Sequence, residues 1–172
     1  MEFDDFVRQR GAALVRLGHL LTGDRHLGED LTQDVLAKAF VRWKRIKADP
    51  PDPYLRRMLV NAAISRRRLA SSQEVVMAEP TETPGRDDLG AEAVERDAVW
   101  RLISTLPPKQ RAAVVLRYYE DLDDTAIAAM LDCSRETVRS QVKRALDALR
   151  ARLAKEGSDA GSAGATRNGG KP

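Results

Sequence analysis

Residues 125–150 read TAIAAMLDCSRETVRSQVKRALDALR, and two interrupted periodicities in them decide the fold. Over the first two helical turns Ile127, Met130 and Leu131 face one way, with Asp123 or Asp124 available as the cap. Asp132 and Cys133 then make a turn, and Ser134 can cap a second helix by accepting a backbone N–H. Glu136 stands one position short of a capping box. In that second helix Val138, Val142, Ala145 and Leu149 share a dry face, while Arg135, Arg139 and Lys143 recur every fourth residue on a wet one. A short helix, a tight turn and a longer helix with a basic N-terminal half have the spacing of a helix-turn-helix, which lays its second helix in the major groove. Glycine is common at such a turn, and Asp132 is a feasible substitute because aspartate tolerates a left-handed backbone. Plain helix packing is the alternative that spacing alone leaves open, since many helical proteins have short turns. The exposed chemistry favours DNA: Ser134, Arg135, Glu136, Arg139, Ser140, Lys143 and Arg144 offer guanidinium, ammonium, hydroxyl and carboxylate groups to phosphates and base edges.

Working outward, every other ordered stretch also has helical spacing. Phe3, Phe6, Val7, Leu14, Leu17, Leu20 and Leu21 predict a first amphipathic helix ending at Thr22-Gly23-Asp24. From Gly28, the run GEDLTQDVLAKAFVRWKRI puts Leu31, Val35, Ala39 and Trp43 every fourth residue, behind a cluster of acids that suits a helix N-terminus. KADPPDP at 47–53 predicts an extended loop, and a third helix starts near Pro53 and runs through PYLRRMLVNAAISRRR. Periodicity fades over 71–90, resumes near Leu89 with Val94, Trp100 and Ile103, breaks at Pro107-Pro108 and resumes in KQRAAVVLRYY. The Gly- and Ala-rich stretch after Gly157 is expected to be disordered. The expected fold class is all-α, with two small helical domains joined by a flexible acidic linker: residues 1–70, a linker at 71–92, residues 93–156, and a tail at 157–172.

Charge follows the same divisions. Lys and Arg exceed Asp and Glu by five over residues 1–70, fall six short over 71–98, and exceed them by three over 99–156. Two basic units around an acidic connector are what a chain meeting a polyanion at two places would carry. The 172 residues contain one cysteine, Cys133, and two histidines, His19 and His26, so an internal disulfide is impossible and no zinc cluster is expected. No cofactor is expected. With no glycine-rich phosphate loop and no plausible triad, an enzyme fits poorly. No apolar run is long enough to span a membrane and the N-terminus MEFDDFVRQR is charged, so a cytoplasmic location is expected.

These blocks together resemble the extracytoplasmic-function (ECF) group of bacterial RNA polymerase sigma factors, in the sigma-70 family. LPPKQRAAVVLRYYEDLDDTAIAAMLDCSRETVRSQVKRAL at 106–146 resembles sigma region 4, EDLTQDVLAKAFVRW at 29–43 is similar to region 2.2 running into 2.3, and PYLRRMLVNAAISRRR at 53–68 looks like region 2.4. The resemblance covers nearly all of residues 1–155, in family order. It implies an alternative sigma factor, a non-catalytic specificity subunit that binds core RNA polymerase and directs initiation at promoters with minus-thirty-five and minus-ten elements, helping to melt the latter. It implies that Asp30, Leu31, Gln33 and Asp34 meet the clamp helices of the polymerase beta-prime subunit. Lys47, Asp49, Arg56, Arg57 and Asn61 would lie at the minus-ten element, with Asn61 beside the pocket for a flipped base. Residues 134–144 would read the minus-thirty-five element. Acids of the linker, Glu74, Glu79, Glu82, Asp87 and Asp88, would run toward the active-site cleft. Family members are often restrained by an anti-sigma factor, a further expected partner. The proline run in KADPPDP departs from the family loop.

A different class, an autonomous helix-turn-helix regulator, would use the C-terminal unit alone on DNA. The discriminating stretch is 29–68, which such a regulator has no reason to carry.

Overall fold

The turn at Thr22-Gly23-Asp24 ends one helix and starts the next, and it sets the geometry of the N-terminal half. Gly23 takes the left-handed conformation (φ 68°) that closes a helix C-terminus, its N–H returning to the His19 carbonyl, and Asp24 accepts the Leu27 N–H at 2.9 Å to cap the following helix. The computed structural model describes the backbone of residues 1–72 and 91–164, with side chains over 1–66 and 98–158. In it α1 (Phe3–Thr22), α2 (Arg25–Val41), α3 (Trp43–Ile46) and α4 (Pro51–Ser72) form the first unit. The second contains α5 (Ala91–Ser104), α6 (Pro108–Val114), a π-helical turn (Val115–Tyr119), α7 (Asp124–Leu131) and α8 (Arg135–Gly164). No strand occurs among the described residues, as the all-α reading requires.

Three boundaries differ from the sequence expectation, each for a local reason. Capping by Asp24 starts α2 at Arg25, so Glu29 and Asp30 fall beyond the first turn, which holds no acid. The cluster of acids is therefore not there to compensate the helix dipole, whose effect fades within a turn. The proline-rich stretch is only a short turn over 47–50, because Pro51 and Pro53 both sit in the first turn of α4, where a missing N–H costs no intrahelical bond. Finally, α8 passes through Gly157 and ends at Gly164, correcting the disorder expected at the start of the tail. Once a helix exists, each further residue adds a hydrogen bond, and nothing lies within 4 Å of where a Gly157 Cβ would be. The linker acids and residues 165–172 lie outside the described residues.

The α1–α2 crossing is closer than any side chain would allow. A Cβ on Gly18 would stand 2.7 Å from the Gly28 carbonyl oxygen and from Thr32 Oγ1, and one on Gly28 would stand 2.6 Å from the Gly18 carbonyl carbon. Thr32, fully buried, turns its hydroxyl back to Gly28 O at 2.7 Å. Phe6, Leu14, Leu17, Leu31, Val35, Trp43, Leu55 and Leu59 fill the space beneath. The same apolar cluster continues without a break into Ala112, Ala113, Leu116, Ile127 and Val138 of the second unit. The two units thus share one core, although the sequence places them either side of a linker.

Candidate nucleic-acid interface

The helix-turn-helix is built as its residues predict. Asp123 caps α7, accepting the Ala126 N–H at 2.8 Å. Asp132 occupies the left-handed turn position (φ 51°, ψ 56°). Ser134 Oγ caps α8, accepting the Thr137 N–H at 3.1 Å, and the Thr137 hydroxyl lies 3.0 Å from it. Thr137 thus stands where the carboxylate of a capping box would, supplying a hydroxyl instead. Val138, Val142 and Ala145 are buried and Leu149 is partly so, which fastens the dry face to α6 and α7.

On the wet face Ser134, Arg135, Glu136, Arg139, Ser140, Lys143 and Arg144 are all exposed, so all seven candidate minus-thirty-five residues are brought together. Two are already oriented. Arg139 donates from Nε to Asp124 Oδ2 at 2.7 Å, and Asp124 also pairs with Arg117. Lys143 donates to Asp147 at 2.8 Å one turn further on, and the partnership holds the Asp147 carboxyl below the usual range. Glu136 is held below its ordinary pKa by its own backbone N–H, then by the Ser134 hydroxyl, with Arg135 and Arg139 adding to the effect. It is a carboxylate, able to accept from a base amino group.

The candidate minus-ten set divides. Arg57 and Asn61 are exposed at i, i+4 on one face of α4, and Tyr54, which the sequence reading passed over, extends that face toward the helix start. Arg56 points the other way. It donates to Asp52 at 2.7 Å within α4 and pairs with Glu120, just beyond the π turn. Lys47 and Asp49 lie in the turn before α4, with Lys47 donating to Glu2 at 2.8 Å. Of the three consecutive arginines, Arg66 is exposed; the side chains of Arg67 and Arg68 lie outside the described residues.

On α2, Asp30, Gln33 and Asp34 form one exposed polar stripe. Leu31 does not belong to it: it is buried in the core, because it falls on the face that carries Val35 and Ala39. Down the same stripe come Ala37, Phe40 and Val41, with Phe40 62% and Val41 83% exposed. These apolar residues were also missed. Their signal is that they continue the stripe at i+7, i+10 and i+11 from Asp30.

Arg111 is the residue least expected from sequence, where it looks like one cation in a helical run. It is 1% exposed. Its guanidinium donates to Ile103 O at 3.1 Å, Ser104 O at 2.6 Å and Leu106 O at 2.8 Å in its own unit, and to Leu21 O at 3.3 Å and Thr22 O in the first. A cation at the C-terminal carbonyls of α1 is favourably placed for the helix dipole.

Comparison with known proteins agrees with this architecture. The family model for sigma-70 region 2 matches residues 6–73, and that for sigma-70 region 4 matches residues 96–149. An RNA polymerase sigma-E factor of Streptomyces coelicolor is 35% identical over 161 residues, covering 93% of this chain and 90% of its own. An ECF RNA polymerase sigma-E factor of Escherichia coli K12 is 31% identical over 134 residues, 70% of each chain. Among solved structures, the Bartonella quintana sigma factor RpoE, crystallised with the anti-sigma factor NepR, superposes with a TM-score of 0.64 at 24% identity, covering 88% of this chain and 96% of that one. CnrH, in complex with the cytosolic domain of CnrY, gives a TM-score of 0.59 at 20% identity, covering 89% of this chain and 88% of that one. Both share the fold. With region 2 and region 4 matched in order along one short chain, and relatives of this identity over most of their length, the chain belongs to the sigma-70 family of RNA polymerase sigma factors, in its ECF group.

Proposed function

We propose that this chain reads a promoter at two places with two separate helix faces and docks on core RNA polymerase through a third. Family membership makes it an alternative sigma factor, a non-catalytic subunit that directs transcription initiation. The finer reading rests on how the exposed polar residues are distributed. The single observation that carries it is the division of α8 into a buried aliphatic face and an exposed face with all seven candidate DNA-contacting residues. Arg135, Arg139, Lys143 and Arg144 supply phosphate contacts and bidentate donors for guanine, while Glu136 accepts from cytosine. Ser134 and Ser140 add hydroxyls at the phosphate rim.

At the minus-ten element Asn61 and Arg57 are the reading pair, because they share the open face of α4. The Asn61 amide offers a donor and an acceptor to the edge of an unstacked base. Tyr54 on the same face offers a ring for stacking. Lys47 and Asp49 flank the approach, and Arg56 takes part only if its pairs with Asp52 and Glu120 are exchanged for DNA.

Docking on the clamp helices of the polymerase falls to Asp30, Gln33 and Asp34. Their acids lie too far from the α2 N-terminus to serve the helix dipole, which leaves a basic partner as the better account of them. Control by an anti-sigma factor is proposed by analogy with the two structural neighbours, each solved with such a partner or with a cytosolic domain bound. Promoter selection from a random-sequence library with holoenzyme reconstituted from this chain is the test. Enrichment of two spaced motifs supports the reading, and enrichment of one motif independent of core polymerase supports the autonomous regulator.

A further inference from the structure

Asp124 holds two guanidiniums at once. Its Oδ1 pairs with Arg117 of the π-helical turn, and its Oδ2 accepts from Arg139 Nε at 2.7 Å on the wet side of α8. The Asp124 side chain is only 19% exposed, whereas that of Arg139 is 63% exposed. A carboxylate fixed from behind by one arginine therefore sets the direction of a second that reaches into solvent. Charge-assisted pairs of this kind are short and directional, and shielding from water strengthens them.

Holding the scaffold together is a poor account of this arrangement. Helices α7 and α8 are already fastened by Ile127 and Val138, both fully buried, with Val142 beside them. A carboxylate in the first turn of α7 would suit the helix dipole with no guanidinium in contact, and Asp123 already caps that end. Lys143, also on the wet face, is held differently. Its partner Asp147 lies on the same helix with a side chain 51% exposed, and an ammonium is a rotatable point charge with no preferred edge.

What the pairing leaves open on Arg139 is chemically specific. A guanidinium is planar and carries its donors in a fixed fork. With Nε spent on Asp124, the two terminal nitrogens remain, and their outward N–H groups run parallel, the arrangement that meets O6 and N7 of guanine in the major groove. The same carboxylate offsets the Arg139 charge and restrains its swing, so the side chain follows a phosphate backbone less readily. We propose that Asp124 is a specificity-determining residue that touches no DNA itself and makes Arg139 a guanine reader rather than a general phosphate contact. The inference rests on the assignment of α8 to the minus-thirty-five element above.

The test binds holoenzyme, reconstituted from the full chain, to a promoter library varied at each minus-thirty-five position. Wild type, Asp124→Ala, Arg139→Ala and the double variant are compared. Wild type should prefer guanine by about tenfold at one position, and Arg139→Ala should erase that preference. Asp124→Ala should reduce it by at least about threefold at the same position and leave the preferences elsewhere in place. It should also bind a promoter with a scrambled minus-thirty-five element as well as wild type or better. The double variant should lose no more at that position than Arg139→Ala alone, since both act through one contact. Asp124→Asn keeps the shape and loses the charge; it should act in the same direction, and it carries the comparison if the alanine variant melts early. Full guanine preference in both Asp124 variants overturns the proposal. So does a loss spread over all positions with weaker binding to the scrambled promoter, which is what a damaged scaffold gives, and so do additive losses in the double variant. A wild type with no base preference at any of these positions would instead sink the minus-thirty-five reading, so the two failures are distinct.

Discussion

Arg139 on α8 and Asp124 on α7 meet at 2.7 Å, so the two helices of the helix-turn-helix are tied together by a residue proposed to touch DNA. Arg139→Ala should weaken binding to a minus-thirty-five duplex by about 1–3 kcal/mol while leaving core binding intact. Fluorescence anisotropy with labelled duplex, beside a polymerase pull-down, measures both. A parallel loss of core binding would count against the assignment.

The α2 stripe predicts the opposite pattern. Asp34→Arg places a cation where a basic partner is expected, and like charges across an interface cost several kcal/mol. Affinity for core should fall at least about tenfold, with the circular-dichroism melt unchanged because Asp34 is exposed. An unaltered pull-down removes Asp34 from the interface.

On α4, Asn61→Ala should reduce binding of a single-stranded minus-ten oligonucleotide by holoenzyme and spare the minus-thirty-five duplex. Arg56→Ala should affect the oligonucleotide less than Asn61→Ala, since Arg56 lies on the opposite side, paired with Asp52 and Glu120. The reverse ranking would show that Arg56 leaves those partners to reach DNA.

One substitution type should act with two signs. Gly18→Ala drives a Cβ to 2.7 Å from a backbone oxygen and should destabilise the fold by about 1–3 kcal/mol. Gly157→Ala meets open space within α8 and should be neutral or stabilise by up to about 1 kcal/mol. Denaturant melts of the two variants measure the contrast, and an undamaged Gly18→Ala would mean that α1 and α2 can move apart freely.

Acid should loosen the same crossing. Burial holds the His19 imidazole below its usual pKa, with nearby Glu29, 3.4 Å from Nε2, pulling the other way. Because the folded value lies below the unfolded value of about 6.5, the contribution of His19 is complete above that pH and is lost as pH falls through the folded value. His19→Gln should therefore flatten the decline in melting temperature on acidification; an unchanged slope would place the acid sensitivity elsewhere.

Much of this was legible in the sequence because short-range rules governed it. Asp123, Asp132 and Ser134 each do what their neighbours dictate, and the α8 faces follow directly from residue spacing. What was not legible depends on contacts across long separations. The family resemblance put Leu31 on a docking face, and its burial against the core removes it. Arg56 and Asn61, five residues apart, were grouped until helix rotation placed them on opposite sides of α4. Arg111 drew no attention in the sequence, since nothing local announces that carbonyls about 90 residues earlier in the chain will converge on it. The capping of α2 by Asp24 was local but hidden by the stronger acidic signal at Glu29 and Asp30.

The central claim is that three separate faces serve one initiation event, and it is tested most directly by run-off transcription with core polymerase and a selected promoter, comparing wild type with Asp34→Arg, Asn61→Ala and Arg139→Ala. The account predicts initiation by wild type and a loss in each variant at a different step: polymerase association for Asp34→Arg, open-complex formation for Asn61→Ala, and closed-complex affinity for Arg139→Ala. Absence of initiation by wild type with a competent core, while the chain alone binds duplex DNA specifically, would contradict it.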